Sequence, residues 1–431
     1  MSLATALPAI SVHKNETLLF FTLLELAAIV GAGRVGGALA RRVGQSAVVG
    51  EIVIGILLGP SLLGWIAPQA FNFIFRSAAP EALQILAGLG LVLLMFQVGL
   101  EFDFSHLAER VNRAAVLRVS AACLGLPFAI GLVLGFYTSP ILSPQANRLD
   151  SALFIATAFS ITALPVLGRI MLELHMTRTR LGVIAISAAA INDVAGWLLL
   201  ALITALTIAS FDGAHYGLRV LLLAGYFLVC IGGLRPLIKK IVRRSNPQGG
   251  RMSGNLMGGL LVMIFLSAMV TYQLGIFAVF GGFLMGVILF DEPELVNAWK
   301  QGIGHFVMVF FLPIYFTYTG LRTSIGSLDT ASAWGWCALI VALATLGKFG
   351  GAYIGARQSC LGHTEATILG FMMNTRGLME LVVINVGLDL GVISEQMFTI
   401  LVIMAIVSTV ITTPALRFYL PRAGITVPAR G

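Results

Sequence analysis

Charged residues are scarce in this sequence. Of its 431 residues, 11% are Asp, Glu, Lys or Arg and 58% are hydrophobic, whereas an ordinary soluble domain carries about 25% charged residues. The four cysteines, Cys123, Cys230, Cys337 and Cys360, are widely spaced and form no C-x-x-C pair. We therefore expect neither a soluble globular fold, nor a disulfide framework, nor a metal site held by cysteine.

Motifs of hydrolases and of secretion signals are missing as well. The chain contains neither H-E-x-x-H nor G-x-S-x-G, the patterns typical of zinc-dependent and serine hydrolases. Its first residues lack the basic start and the small-residue cleavage site of a signal peptide. We predict that the protein is not an enzyme, holds no cofactor and keeps its first apolar segment.

Long apolar segments dominate the rest of the chain. About 20 apolar residues cross a bilayer at ~1.5 Å per residue, and we predict an all-α polytopic membrane protein with about thirteen spans. Only Tyr272, Gln273 and Gly275 separate the eighth span from the ninth. The approximate extents are 17–40, 47–66, 82–101, 114–136, 151–171, 181–209, 217–237, 254–273, 274–291, 303–322, 332–356, 365–388 and 395–417.

The net charge of +8 does not indicate a nucleic-acid partner, because the basic residues lie in short loops between apolar segments. Counted over alternate loops, 19 of the 27 Lys and Arg residues lie on one side, 5 on the other and 3 inside spans. Because cytoplasmic loops carry the excess of Lys and Arg, we predict an N-terminus outside and a C-terminus in the cytoplasm. Residues 1–16 then form an extracytoplasmic segment, 17–417 the membrane domain and 418–431 a short cytoplasmic tail. The basic loop 235–251 is interpreted as a topology determinant, although anionic membrane lipid would be attracted to it.

Asp193 is the only ionisable residue of the apolar stretch 181–207. A carboxyl group near the bilayer centre costs at least ~2.5 kcal/mol to insert, and such groups usually mark ion or proton pathways. We predict that Asp193 binds a cation or a proton, and that Asn192 orients it or donates an oxygen. The alternative is a buried Asp satisfied by neighbouring hydroxyl and amide groups.

The segment 151–171 has Ser160-Ile-Thr-Ala-Leu-Pro165 at its middle. Proline removes a backbone donor and clashes with the preceding turn, so we expect the helix to break or kink here. The freed carbonyls and the hydroxyls of Thr157, Ser160 and Thr162 then offer oxygen ligands. A simple kink, with the hydroxyls bonded back to their own helix, accounts for the pattern equally well.

A matching interruption, Asn374-Thr-Arg-Gly-Leu-Met-Glu380, lies in the segment 365–388. Arg376 and Glu380 are four residues apart and share a helix face, so we predict a salt bridge between them. It serves either transport or only as a structural clamp. Gly377 permits a non-helical turn between two half-helices.

Lys348 lies two to three turns from the Arg357 end of the segment 332–356, too deep for easy snorkelling. We predict that it compensates the charge of Asp193, and the alternative is an ammonium that reaches the cytoplasmic interface. Glu51 is expected to cap or pair locally, and Glu25 has no assigned role.

The two interrupted segments lie in different halves of the chain, one before the Asp193 span and one after the Lys348 span. Paired interrupted helices are typical of transporters built from inverted repeats. If the breaks cross, their ends need acids near N-termini and bases near C-termini. A transporter that works by alternating access is therefore favoured over the alternatives, a monovalent cation channel or an ion sensor that does not transport.

Several stretches resemble the monovalent cation:proton antiporter-2 family, a branch of the sodium/proton exchanger superfamily. They cover nearly the whole chain: Val49-Gly-Glu-Ile-Val-Ile-Gly-Ile-Leu-Leu-Gly-Pro-Ser61, Met95-Phe-Gln-Val-Gly-Leu-Glu101, Ser160-Ile-Thr-Ala-Leu-Pro165, Asn192-Asp193, Phe310-Phe-Leu-Pro-Ile-Tyr-Phe316, Gly320-Leu-Arg322, Gly347-Lys348 and Asn374-Thr-Arg-Gly-Leu-Met-Glu380. The resemblance implies a homodimer in the plasma (inner) membrane, each protomer having a dimerisation domain and a moving core domain with helices near 82–136, 151–209 and 332–417.

The same resemblance implies the roles of individual residues. Asp193 binds Na⁺ or K⁺ in exchange for H⁺, Lys348 is its charge partner, and the fifth and twelfth helices cross. Ser160, Thr162 and Asn192 are expected to add oxygen ligands for the ion. Some members of the family carry two acids where this sequence has Asn192 and Asp193, so we expect electroneutral, one-for-one exchange.

Overall fold

The computed structural model describes residues 6–75, 80–100, 113–176, 179–208, 221–222, 224–245, 252–274 and 277–425. Within these ranges the chain is helical and contains no strand, which confirms the predicted all-α class. The outermost residues of the two predicted terminal segments, 1–5 and 426–431, lie outside them, as does Glu101. The first helix begins at Ala6, within the predicted N-terminal segment.

The helices of the first half are α1 (Ala6–Arg42), α2 (Ala47–Leu57), α3 (Leu63–Ile66), α4 (Pro68–Phe75), α5 (Pro80–Leu100), α6 (Arg113–Leu142), α7 (Arg148–Ser160), α8 (Leu164–Glu173) and α9 (Arg180–Ile208). Those of the second half are α10 (Arg235–Ser245), α11 (Gly254–Gln273), α12 (Ala278–Val287), α13 (Pro293–Trp299), α14 (Leu312–Leu321), α15 (Ala331–Gln358), α16 (His363–Met373), α17 (Leu378–Asp389) and α18 (Glu395–Tyr419).

Polar side chains start several of these helices. Asn147 Oδ1 accepts the backbone N–H of Leu149 at 2.9 Å and begins α7. The hydroxyls of Ser253, Thr330 and Ser394 accept backbone N–H groups in the same way at the starts of α11, α15 and α18. A side-chain oxygen at this position satisfies one of the N–H groups that a helix leaves unpaired.

Seven single helices in the described ranges are long and apolar enough to cross a membrane, and two bent helix pairs raise the number to nine. The predicted spans 47–66 and 274–291 contain helices of only 11 and 10 residues. The predicted span 151–171 is divided between α7 and α8, and 217–237 lies partly outside the described residues. A multi-pass membrane protein is therefore clear, whereas the count of thirteen spans stays a prediction.

The helices pack as two sets. In the core set, α6 packs against α7, α9 and α15, while α16, α17 and α18 complete the group with α8. In the panel set, α1, α2 and α14 pack together, and α5 packs against α12 and α14. Between the sets, α2 contacts α18.

Among the described residues, helix α5 packs with the panel set, whereas the sequence predicted that 82–101 lies with the core helices. Glycines decide where it packs. A Cβ on Gly286 of α12 would lie 2.2 Å from the carbonyl oxygen of Phe96, and one on Gly99 of α5 would lie 2.4 Å from that of Phe283. Since lipid supplies no hydrophobic drive between helices, such close approach of small residues determines which helices associate.

Candidate ion-binding site at two broken helices

The first break separates α7 from α8 and consists of residues 161–163. Ile161 is extended, with φ −75° and ψ 143°. Pro165 is the second residue of α8, where the N–H that proline lacks has no helical partner in any case. The break therefore precedes the proline, which suits the start of the second half-helix.

The hydroxyls around this break differ in their bonding. Thr157 Oγ1 donates to the Leu153 carbonyl at 2.8 Å, and Ser160 Oγ donates to the Ala156 carbonyl at 2.9 Å. Both therefore bond to their own helix, as the simple-kink alternative expects. The Thr162 hydroxyl is buried and has no hydrogen-bond partner among the described residues.

The second break, residues 374–377, separates α16 from α17, whose axes differ by 45°. Helix α18 holds it in place. Thr409 Oγ1 accepts the Arg376 backbone N–H at 3.0 Å, and Asn374 Nδ2 donates to the Ser408 carbonyl at 3.2 Å. These two residues of α18 were not singled out from the sequence, although hydroxyl groups within an apolar span are a usable signal.

The two breaks meet directly. The backbone N–H of Ala163 donates to the carbonyl oxygen of Thr375 at 3.1 Å. Irregular backbone at membrane depth is tolerated only inside the protein or along a water-filled cavity. Each break therefore satisfies part of the other's free hydrogen-bonding capacity.

Cationic side chains cover the C-terminal end of α7. The Arg376 guanidinium donates to the carbonyls of Ala158 at 2.7 Å and Phe159 at 3.0 Å. Lys348 Nζ donates to the next carbonyl, that of Ser160, and to the Cys123 carbonyl at 3.2 Å. A helix C-terminus carries a partial negative charge, so these two cations stabilise a helix that ends inside the membrane domain.

Arg376 also forms the predicted salt bridge. Its Nη1 lies 2.8 Å from Glu380 Oε1, and both side chains are at most 1% exposed. Glu380 is in the first turn of α17, where a carboxylate is favoured by the positive end of the helix. The arginine thus links the end of one half-helix to the start of the other.

Asp193 and Asn192 lie in the middle of α9, and both are 0% exposed. Neither carboxylate oxygen of Asp193 and neither polar atom of the Asn192 amide has a hydrogen-bond partner among the described residues. The alternative interpretation, a buried Asp hydrogen-bonded by neighbouring hydroxyl and amide groups, therefore does not describe Asp193 among these residues. Buried polar groups are otherwise almost always paired, and leaving them unpaired is costly.

Helix α9 brings Asp193 to the first break. A Cβ added to Gly196 would lie 2.6 Å from Cγ1 of Ile161, so α9 contacts the break at this point. Asp193 is three residues before Gly196 and shares its helix face. The carboxylate, the Asn192 amide and the Thr162 hydroxyl are each buried, and their oxygens are the ligand type that hard cations prefer.

Lys348 does not pair directly with Asp193 among the described residues. Its ammonium instead donates to the backbone carbonyls described above. Lys348 donates to the end of α7 because the last carbonyls of this helix have no helical donor. Compensation of the Asp193 charge by Lys348 stays a prediction, and it does not require a direct contact.

Gly377 provides a local test of the second break. Its φ of 158° and ψ of −128° fall in a region that is essentially confined to glycine. We expect Gly377→Ala to destabilise the protein by about 1–3 kcal/mol and to reduce ion transport, measured by thermal unfolding and by flux in proteoliposomes. Gly335→Ala is the control, since this helical glycine has no neighbour within 4 Å of an added Cβ. Equal behaviour of the two variants would contradict a strained break.

Known proteins share both sequence and fold with this chain. Residues 26–421 match the family described as "Sodium/hydrogen exchanger, transmembrane". The Na(+)/H(+) antiporter NhaS4 of Synechocystis sp. is 40% identical, with 92% of this chain and 96% of that protein covered. The K(+)/H(+) antiporter 1 of Saccharomyces cerevisiae is 31% identical over 88% of this chain, which spans 44% of its length.

A solved structure shows the same fold. The sodium proton antiporter MjNhaP1 from Methanocaldococcus jannaschii superimposes with a TM-score of 0.66 at 16% identity, covering 94% of this chain and 98% of that one. The family match extends over most of the chain and includes both broken helices, Asp193 and Lys348. The chain therefore belongs to the sodium/hydrogen exchanger family of integral membrane proteins.

Proposed function

We propose that this protein exchanges a monovalent cation, Na⁺ or K⁺, for H⁺ across the membrane by alternating access. The observation that carries the proposal is the Asp193 carboxylate, which is buried and has no hydrogen-bond partner in the described part of the chain, beside the first of two broken helices that meet. The names of the two relatives agree with this class of transport. No enzymatic step is required.

One carboxylate can couple the two ions because it holds either of them, and not both. Burial disfavours a bare charge strongly, so the site crosses the membrane with a bound cation or with a proton. Asn192, Thr162 and carbonyls of the first break are proposed to complete the cation's oxygen ligands. The Ser160 hydroxyl donates its hydrogen to its own helix. We propose that it can still bind the cation through a lone pair of its oxygen.

The charge balance supports electroneutral exchange. Arg376 and Glu380 neutralise each other within 2.8 Å. Of the side chains that the structure describes at the breaks, Asp193 and Lys348 then remain charged. Binding of either a monovalent cation or a proton to Asp193 then adds one positive charge, so the two halves of the cycle carry the same charge. One cation moves for each proton.

The two helix sets supply the parts that alternating access requires. We propose that the core set moves against the panel set, that two protomers associate through panel helices, and that the C-terminus is cytoplasmic. Exposed apolar side chains on α1 and α11, such as Phe20 at 58% and Met269 at 62%, suit contact with lipid or a second protomer.

Reconstituted exchange tests the proposal. The purified protein in proteoliposomes is given Na⁺, K⁺ or Li⁺ in turn, and proton movement is followed with the membrane potential clamped to zero and then imposed. We expect saturable proton flux that requires a cation on the other side and does not respond to the potential. Cation flux without counter-transport of protons would instead identify a channel.

Lys348→Ala tests the charge compensation. Two buried carbonyls then lose a charged donor, at a cost of about 1–3 kcal/mol each, and we expect exchange to fall at least about tenfold. Lys240→Ala is the matched control, because Lys240 is exposed on α10. Exchange measured at several pH values should change only in the first variant, and an unaltered profile would remove Lys348 from the mechanism.

A further inference from the structure

A polar network joins the core set to the panel set at one face of the molecule. Arg322 follows the last turn of α14 in the panel set. Its Nη2 donates to Oδ1 of Asp389 at 2.6 Å, and its Nη1 donates to Oδ1 of Asn385 at 3.0 Å. Both acceptors belong to α17, the second half of the broken helix in the core set.

Further contacts fix the arginine and its amide partner. Asn385 Nδ2 donates to the Thr319 hydroxyl of α14 at 3.0 Å, so this asparagine is bonded to the panel set from both ends of its amide. Arg322 Nη1 also donates to the Tyr318 hydroxyl at 3.2 Å. The network therefore consists of several bonds with defined donors and acceptors, rather than one flexible ion pair.

The network forms part of the wall of a cleft between the two sets. A cavity of about 450 Å³ lies between α5, α12, α14 and α17, and Tyr318, Asn385 and Asp389 line it. Nearer the breaks, Val49 of α2 and Leu381 of α17 line a cavity of only about 10 Å³. A wide space thus lies beside the network at the Asp389 face, whereas the space between the sets is narrow further in.

We propose that Arg322 is a positioning residue for exchange. Its bonds stabilise the conformation in which the cleft opens at the Asp389 face over the conformation in which it opens at the opposite face. Charge-assisted hydrogen bonds need donor–acceptor distances of about 2.7–2.9 Å, so movement of α17 past α14 breaks them. An interaction present in one of two conformations shifts the equilibrium between them. The proposal rests on alternating access, the mechanism proposed above.

Loss of the network should therefore change the apparent affinity for the ion in opposite directions at the two faces. The apparent affinity for an ion at one face decreases when a smaller fraction of the protein presents its site to that face. Loss of the network lowers this fraction at the Asp389 face and raises it at the other. The side chains of Arg322 and Asp389 are 22% and 42% exposed, and partly exposed ion pairs contribute modestly.

Arg322→Gln is tested in vesicles of known orientation, with Na⁺ or K⁺ varied on one face at a time. We expect the apparent KM for the cation to rise about three- to tenfold at the Asp389 face and to fall at the opposite face. Arg322→Lys should recover part of the shift, because it keeps the charge without the two-pronged geometry. Arg148→Gln is the control, since Arg148 bonds to Phe136 within the core set.

Equal KM changes at both faces, or none, would overturn the proposal, because a merely structural role has no sidedness. If Arg322→Gln is not stably produced, Asp389→Asn removes the ion pair while keeping the arginine's bond to Asn385. It should shift KM in the same directions by less, and a shift of opposite sign would equally refute the assignment. Absence of exchange in the unmodified protein is a separate result, which refutes the proposed function itself.

Discussion

Asn in place of Asp193 is expected to abolish cation-dependent proton exchange. The amide keeps the shape of the carboxylate but cannot take up a proton or neutralise a bound cation, so neither half of the cycle can proceed. We expect residual exchange below about 1% of the unmodified rate, since a loss of more than ~2.7 kcal/mol in binding suffices for that. Proton flux in proteoliposomes with imposed Na⁺ or K⁺ gradients measures this directly.

The same variant should remain folded. The Asp193 carboxylate has no hydrogen-bond partner among the described residues, so its replacement by a neutral group breaks no described bond. Thermal stability should therefore be equal or higher. Asp150→Asn is the matched control, because Asp150 lies in the first turn of α7, away from the break, and exchange should continue. Persistent cation-dependent flux in Asp193→Asn would falsify the assignment of the ion-carrying residue.

Arg376→Ala is expected to cause the largest loss of stability. The substitution leaves Glu380 buried without its cation and removes the donors of the Ala158 and Phe159 carbonyls. Breaking a buried ion pair by removing one partner costs about 3–5 kcal/mol. Because an ordinary domain is stable by only about 5–15 kcal/mol, this variant should unfold at a clearly lower temperature.

Thiol reactivity offers a direct measurement. Cys123, Cys230 and Cys337 are buried and Cys360 is exposed, so a fluorogenic maleimide should label one thiol at once and the others as the protein unfolds on heating. The double variant Arg376→Met with Glu380→Met is the informative control. Removal of both charges leaves no unpaired carboxylate, and its unfolding temperature should exceed that of Arg376→Ala. If it does not, the carbonyl contacts of Arg376 outweigh its pairing with Glu380.

Local sequence features were enough to predict the fold class and the position of the breaks. Apolar segments of bilayer length predicted an all-α membrane protein, and Gly377 indicated a non-helical turn that the structure contains. The first break lies at residues 161–163, just before Pro165. These properties follow from the chain itself, because the cost of an unpaired backbone group or a charge in lipid depends on the residue and its depth.

The packing of helices could not be predicted in the same way. Segment 82–101 is as apolar as the core helices, and nothing in its composition distinguishes the two sets. Its place in the panel set depends on glycines of α12 that accept the close approach of its backbone. Complementarity of two surfaces is a property of the pair, and a single segment does not reveal it.

The sequence by itself determined that Asp193 is a carboxylate deep in an apolar helix, and that a lysine, an arginine and a glutamate lie near two interruptions. The spacing of Arg376 and Glu380 also predicted their salt bridge, whereas only the tertiary structure decided the other partners. Lys348 donates to carbonyls at the end of α7 rather than to Asp193, and Arg376 bonds to that helix end as well as to Glu380. The physical reason is competition, because a buried donor bonds to whichever unpaired acceptor the fold brings within reach. For Lys348 and Arg376 these acceptors at the end of α7 lie 188 and 218 residues away along the chain.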